Sequence, residues 1–331
     1  VAELAREWRE AYVAFQQLHV HLLAITRLSL EVNAELERQL SLPFPILRDT
    51  HGDVSRAYGV VLPASGGASP SKAAGSRTVL VDTNLRVLRI YGASDSADQV
   101  RAALDFFRDH LIETPPARVL MQAPVLLIPR VLSRELCVEL TRLCKTEGND
   151  DSGFMKQVDG RTVGVYDYGH KIRRDHFLKE GPMRTRLMHI LYHRVKPEIQ
   201  KAFHFEVTRF EDFRIACYEA TRGGYFRAYR DNTTDDTAHR RWAMSLNLNE
   251  EEYEGGDLRF PEYGPHRYRP RTGEAVIFSC SLLHEATDVT AGRRFVLLSF
   301  LYGEREARLR EETARNRGAA YQTAYANREG L

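Results

Sequence analysis

Asp231, His284 and Arg294 are the residues of this chain whose types and spacing could do chemistry together. Asp231 ends a strand-like segment, Tyr225-Phe-Arg-Ala-Tyr-Arg-Asp231, and His284 begins another. On a strand, residues i and i+2 point the same way, so Tyr229 and Asp231 face one side of the sheet. Arg294 follows His284 by ten residues. A turn expected at Thr290-Ala-Gly292 would fold the chain back and set the guanidinium beside the histidine strand. One carboxylate, one imidazole and a nearby arginine suit iron together with an anionic co-substrate. A single such spacing is common in ordinary cores, so the reading depends on the scaffold that holds these residues.

From Phe205 onward the pattern is a run of short strands separated by Gly, Asn and Pro. The expected strands are Phe213–Tyr218, Tyr225–Tyr229, Trp242–Leu248, Asp257–Phe260, His266–Arg269, Ala275–Ser279, His284–Val289 and Arg294–Tyr302. Ahead of them lie two helical stretches, Ser133–Lys145 and Met183–Phe203, the second carrying Pro197 as an expected kink. Strands after helices predict an antiparallel double-sheet jelly roll with helices packed on one side. Lys171-Ile-Arg-Arg-Asp-His176 reads as a solvated turn with ion pairs, with substrate binding as the alternative. Residues 304–331 are highly charged and read as a terminal helix or tail.

Residues 1–112 have a different rhythm, alternating helical and strand patterns that imply an α/β layer. Leu4, Trp8, Tyr12 and Phe15 mark a helix, His19–Thr26 a strand, and Ser29–Leu40 a serine-capped helix. A short helix at Val54–Tyr58 and a loop of small residues from Pro63 to Gly75 follow. The strands Thr78–Val81 and Arg86–Tyr91 then flank an Asp82-Thr-Asn-Leu turn, and a helix from Ser96 to His110 closes the unit. Glu113-Thr-Pro-Pro-Ala, within a linker spanning 113–122, separates the halves.

Composition narrows the classes. At 331 residues the chain has room for about two domains. Lys plus Arg number 47 against 45 Asp plus Glu, which argues against a dedicated nucleic-acid or membrane-surface binder. The four cysteines (Cys137, Cys144, Cys217, Cys280) show neither disulfide-framework nor metal-finger spacing, so a reducing, cytoplasmic location is expected. No signal peptide or membrane-spanning run is visible.

The second half resembles the iron(II)- and 2-oxoglutarate-dependent oxygenases of the prolyl 4-hydroxylase type, over about residues 123–303. The motifs follow that family's order: Phe213-Arg-Ile-Ala-Cys-Tyr218, Gly223-Gly-Tyr-Phe-Arg-Ala-Tyr-Arg-Asp231, Leu246-Asn-Leu-Asn249, Glu254-Gly-Gly-Asp-Leu-Arg-Phe260, Pro270-Arg-Thr-Gly-Glu-Ala-Val-Ile-Phe278 and His284 through Arg294. The resemblance implies a double-stranded β-helix and a hydroxylase using Fe(II), 2-oxoglutarate and dioxygen, with ascorbate as an accessory reductant. It implies Asp231 and His284 as iron ligands, Arg294 as the anchor for the far carboxylate of 2-oxoglutarate, and Tyr218 as a phenol hydrogen-bonding the co-substrate. The substrate, a protein side chain or a small amino-acid-like molecule, is not readable. One departure stands out. Where the family has the first histidine of His-x-Asp, this chain has Tyr229. Phenolate can ligate iron, but it favours Fe(III) over Fe(II). Tyr229 is therefore either an atypical third ligand or a space-filling ring in an incomplete site, which would make the domain a binding module.

The first half resembles the peroxiredoxin (AhpC/TSA) branch of thioredoxin-like folds, through Leu42-Pro-Phe-Pro-Ile-Leu-Arg-Asp49, Gly52-Asp-Val-Ser-Arg-Ala-Tyr-Gly59 and Arg77-Thr-Val-Leu-Val-Asp82. By that resemblance Arg77 matches the arginine that steadies a peroxidatic thiolate. The thiolate itself is missing, since the first cysteine is Cys137. The resemblance also places a strand ahead of the first helix, to be supplied by upstream residues or by a partner subunit, with a homodimer as one outcome. The expected class is therefore α/β plus α+β, a degenerate redoxin domain ahead of an oxygenase-like domain.

Overall fold

Two units divide the chain, Val1–Ala117 and Arg118–Leu331. A computed structural model describes residues 2–58, 60, 77–92, 98–110, 118 and 121–317. The expected loop 63–75, most of the 113–122 linker and the segment 318–331 lie outside the described residues.

In the first unit the apolar spacing of Trp8 and Phe15 puts both on the inner face of helix Ala2–Gln17. There Phe15 meets Phe107 of helix Gln99–His110 edge to face. Leu80 and Tyr91, from the hairpin Thr78–Val81/Val87–Tyr91, complete this core. Asp82 makes the turn as its type suggests, its Oδ1 accepting the N–H groups of Asn84 and Arg86. Ser29 caps helix Leu30–Leu40 by accepting the Val32 N–H. The expected strand His19–Thr26 is shorter, Ala24–Thr26, and pairs in parallel with Ile46–Arg48, which the Pro-flanked sequence had hidden.

The second unit is two antiparallel sheets with helices behind the larger one. The larger sheet runs in the order Leu126–Ile128, Ala275–Ser279, Trp242–Asn247, Val289–Tyr302, Arg214–Glu219, Arg174–Phe177, Asp150–Asp151. The smaller runs Arg267–Tyr268, Leu258–Arg259, His284–Ala286, Tyr225–Tyr229, Lys171–Ile172. Alternation sorts the side chains of the larger sheet. Ile215, Cys217, Met244, Leu246, Phe295 and Leu297 pack on Leu136, Leu140, Leu187 and Leu191 of helices Arg134–Thr146 and Pro182–Arg194. Ala216, Tyr218 and Val296, one position over, pack toward Phe226 and Ala286 of the smaller sheet. This is the double-stranded β-helix arrangement, with one apolar core behind the larger sheet and a more polar space between the sheets.

Several expectations change. Met183–Phe203 is two helices, Pro182–Arg194 and Lys196–Phe203; Pro197 sits in the first turn of the second, where its missing N–H leaves no helical bond unmade. The hairpin Phe154–Val158/Arg161–Val165 was not foreseen, although Asp159-Gly160, both with positive φ, is a strong hairpin signal. No turn reverses the chain at Thr290-Ala-Gly292. The strand Val289–Tyr302 runs straight through it, and Gly292 (φ 71°) pairs with Tyr253. The chain thus crosses from the smaller sheet at His284–Ala286 to the larger sheet at Arg294. Lys171–His176 is not a solvated turn either. It supplies strand residues to both sheets, and Lys171, Arg173, Asp175 and His176 are all buried.

Candidate active site

The space between the sheets is a cavity of about 900 Å³, and Tyr218, Tyr229, Asp231, His284 and Arg294 all line it. Strand register explains the convergence. Tyr229 lies directly across from His284 in the smaller sheet, and Tyr218 directly across from Arg294 in the larger one. Asp231 follows Tyr229 by two, just past the strand end, where its N–H donates to the Cys280 carbonyl at 3.0 Å.

His284 and Asp231 are only 3% and 7% exposed. Nε2 of His284 stands 3.4 Å from Oδ2 of Asp231. The other imidazole nitrogen, Nδ1, lies 2.9 Å from the Leu282 carbonyl. A carbonyl can only accept, so Nδ1 carries a proton and Nε2 is the nitrogen turned toward the carboxylate. An Nδ1 tied to a carbonyl in this way leaves Nε2 as the nitrogen that can ligate a metal. The separation is close to what two adjacent ligands span at metal–donor distances of about 2.1 Å. These two donors fit a divalent cation, while among the described residues no group of three His, Cys, Asp or Glu side chains is gathered for one.

Tyr229 stands beside this pair, two residues before Asp231 and across from His284 in register. Its ring stacks on Phe226, centroids 3.6 Å apart and planes 16° from parallel, and lies 4.4 Å from the His284 ring. Burial pushes the phenol well above its ordinary pKa range, and the Asp231 carboxylate and Tyr218 push the same way. The other histidines do not replace it. His239 is buried against Glu211, 2.8 Å away, and His204 ends the helix Lys196–Phe203.

Arg294 is 3% exposed, and among the described residues no carboxylate lies within salt-bridge distance of it. Its Nε has no hydrogen-bond partner there, and its guanidinium lies 5.2 Å from the Tyr218 ring centroid. Gly256 makes room for it: a Cβ at Gly256 would come within 2.9 Å of Arg294 Cδ, and φ is +67°. A buried cation without an anion is costly, so this donor set fits a carboxylate ligand. Arg293, next in sequence, instead points out to Glu219 at 3.2 Å.

Lys171, Arg173 and Asp175, from the segment expected as a solvated turn, also line the cavity, together with Arg214, which the sequence had not singled out. Arg173 donates to Asp175 at 2.6 Å and to the Tyr218 hydroxyl at 3.4 Å. Arg214 stands 3.8 Å from the same Asp175. Burial opposes ionisation of Asp175, but Arg173, Lys171 and Arg214 together hold its carboxyl well below the usual range. The missed signal was period two: Lys171, Arg173 and Asp175 alternate as strand residues do, and Arg214 and Tyr218 share one face.

Residues 213–302 match the 2OG-Fe(II) oxygenase superfamily, and residues 2–90 match the AhpC/TSA family. No curated protein matches the chain. Among solved structures, a viral collagen prolyl hydroxylase from Paramecium Bursaria Chlorella virus-1 is similar at 16% identity, over 54% of this chain and 94% of its own, with a TM-score of 0.40. A Pseudomonas putida prolyl-4-hydroxylase is similar at 18% identity, over 54% and 92%, with a TM-score of 0.41. A Trichoplax adhaerens prolyl hydroxylase, in complex with a hypoxia inducible factor oxygen degradation domain peptide fragment, is similar at 16%, over 56% and 86%, with a TM-score of 0.43. Among the described residues no helix is long and apolar enough to cross a membrane. The chain thus carries, in order, a stretch similar to the AhpC/TSA family and a stretch similar to the 2OG-Fe(II) oxygenase superfamily, the second holding Tyr218, Tyr229, Asp231, His284 and Arg294.

Proposed function

We propose that the second unit is a 2-oxoglutarate-dependent dioxygenase that hydroxylates its substrate, with Asp231 and His284 as the iron ligands and Arg294 as the co-substrate anchor. The observation that carries this reading is the unpartnered, buried Arg294 guanidinium in the same cavity as the Asp231–His284 pair. Iron bound there would supply the dioxygen chemistry that protein side chains lack. The chain's own residues do the positioning. Leu282 fixes the His284 ring through Nδ1, so Nε2 is held for the metal. Arg294 offers a charged partner to one carboxylate of 2-oxoglutarate, and Tyr218, opposite it in register, puts a hydroxyl beside that carboxylate. Tyr229 and Phe278 pack against the His284 ring, with centroids at 4.4 Å and 4.6 Å, and cover its flank.

A second reading rests on the Tyr229–Phe226 stack. Packed flat against Phe226, Tyr229 acts as a wall, and the domain is a two-ligand site that binds anions without turning over. One measurement separates the two: metal content together with 2-oxoglutarate-dependent succinate formation by the purified protein. Bound iron with turnover supports the oxygenase; metal-free protein that binds 2-oxoglutarate without forming succinate supports the module.

A further inference from the structure

The cavity wall carries more buried basic side chains than co-substrate anchoring needs. Lys171, Arg173 and Arg214 all line it. The Lys171 residue is 4% exposed and the Arg173 side chain 5%. Among the described residues, the one carboxylate within salt-bridge distance of any of the three is Asp175. Lys171 donates instead to two neutral oxygens, Ser152 Oγ at 2.8 Å and the Gly153 carbonyl at 2.5 Å. Among the described residues, Nε of Arg173 and Nε of Arg214 have no hydrogen-bond partner. Buried donors and charges of this kind are normally matched inside a fold, so an unmatched group on a cavity wall points to a ligand.

The cluster lies across Tyr218 from the anchor. Arg173 and Arg294 lie 5.8 Å and 5.2 Å from the Tyr218 ring centroid; Arg294 is on the strand paired with the Tyr218 strand on one side, and Arg173 immediately precedes Arg174–Phe177, the strand paired with it on the other. 2-Oxoglutarate has two carboxylates. With one on Arg294 and the other at the Asp231–His284 pair, none remains for Lys171, Arg173 and Arg214. The volume, about 900 Å³, is near the upper end of the range of small-molecule sites and leaves room for a second molecule.

We propose that Lys171, Arg173 and Arg214 form a second anion subsite, and that the primary substrate is a small molecule carrying a carboxylate or phosphate that is held there. The proposal rests on the oxygenase reading for the word substrate, but the subsite itself does not. The test is calorimetric binding to the full chain, with N-acetylglycine as the carboxylate probe and inorganic phosphate as the phosphate probe, each with and without saturating 2-oxoglutarate. The expected result is that at least one probe binds, that 2-oxoglutarate leaves its affinity within about threefold, and that Arg173→Gln and Lys171→Met each weaken it more than tenfold. The stronger probe identifies the head group. Lys171→Met leaves the Arg173–Asp175 pair intact and decides the matter alone if Arg173→Gln fails to fold. Absence of binding by both probes, competition by 2-oxoglutarate, or probe affinity unaffected by Lys171→Met would each overturn the subsite. If instead a probe binds as expected while 2-oxoglutarate does not bind at all, the subsite stands and the oxygenase reading fails.

Discussion

Nε2 of His284 and Oδ2 of Asp231 face each other at 3.4 Å, with the histidine's other nitrogen already committed to the Leu282 carbonyl. Two donors prepared in this way should bind a divalent cation measurably without a third. His284→Ala and Asp231→Asn should each lower Mn(II) affinity more than tenfold, read by the electron paramagnetic resonance of free Mn(II). Equal Mn(II) affinity in both variants and the wild type would remove the pair as the metal site.

Arg294 tests the co-substrate. Arg294→Ala leaves the bound carboxylate without its charged partner beside a buried position, a loss of about 2–5 kcal/mol at comparable sites. The affinity for 2-oxoglutarate should fall more than tenfold while Mn(II) affinity holds. Arg293→Ala is the control, because that side chain is 58% exposed and pairs outward with Glu219; it should change neither quantity. A 2-oxoglutarate affinity that survives Arg294→Ala would take the anchor away from this residue.

How far the sequence reaches can be seen by comparing two segments. Tyr225–Asp231 and His284–Arg294 were legible because alternation and order along the chain are local properties, and the structure brings the four residues they suggested, Tyr229, Asp231, His284 and Arg294, to one cavity with Tyr218. The partners in register were not legible, since nothing local says that Tyr229 will sit across from His284, or Tyr218 across from Arg294. Lys171–His176 misled for a physical reason. A dense run of charges is normally solvated, and only the second sheet, contributed by residues far along the chain, buries it and supplies its neighbours.

The N-terminal unit yields a negative expectation. Thiol peroxidase chemistry needs an accessible thiolate, and the first cysteine, Cys137, is buried, with burial pushing its thiol up to about 12. The full chain should reduce hydrogen peroxide with dithiothreitol no faster than buffer does. Turnover abolished by Cys137→Ser or Cys144→Ser would show that a buried thiol becomes accessible and that this expectation is wrong.

Lys171 makes stability depend on pH in a direction that can be worked out. Burial, then the neighbouring Arg173 and Arg214, hold its amine well below the usual 10.5, against the opposing pull of Asp175 and Asp231. Between that lowered value and 10.5 the unfolded chain binds a proton that the folded chain does not, so this lysine makes stability rise with pH through that window. The slope can reach about 1.4 kcal/mol per pH unit. Lys171→Met removes it. Urea unfolding should show the variant gaining most over the wild type at the low end of the window and the gap closing as pH approaches 10.5. Parallel stability curves for the two proteins would mean that the folded lysine keeps its charge.

Tyr229 is the sharpest test, because its two roles predict opposite results. If the phenolate binds iron, aerobic protein loaded with iron should show a visible phenolate-to-Fe(III) charge-transfer band, and Tyr229→Phe should bleach it. The geometry favours the other role. The ring lies flat on Phe226 at 3.6 Å, directly across from His284, and Tyr229→Phe would keep that stack and lose only a hydroxyl. Tyr229→His, by contrast, would put an imidazole two residues before Asp231, on the same side of the strand, and create the third donor that the cavity lacks. It should raise Fe(II) affinity more than tenfold and switch on, or markedly increase, 2-oxoglutarate-dependent succinate formation, while Tyr229→Phe leaves both where they were. Unchanged metal affinity in Tyr229→His, or a charge-transfer band that vanishes in Tyr229→Phe, would defeat the space-filling role.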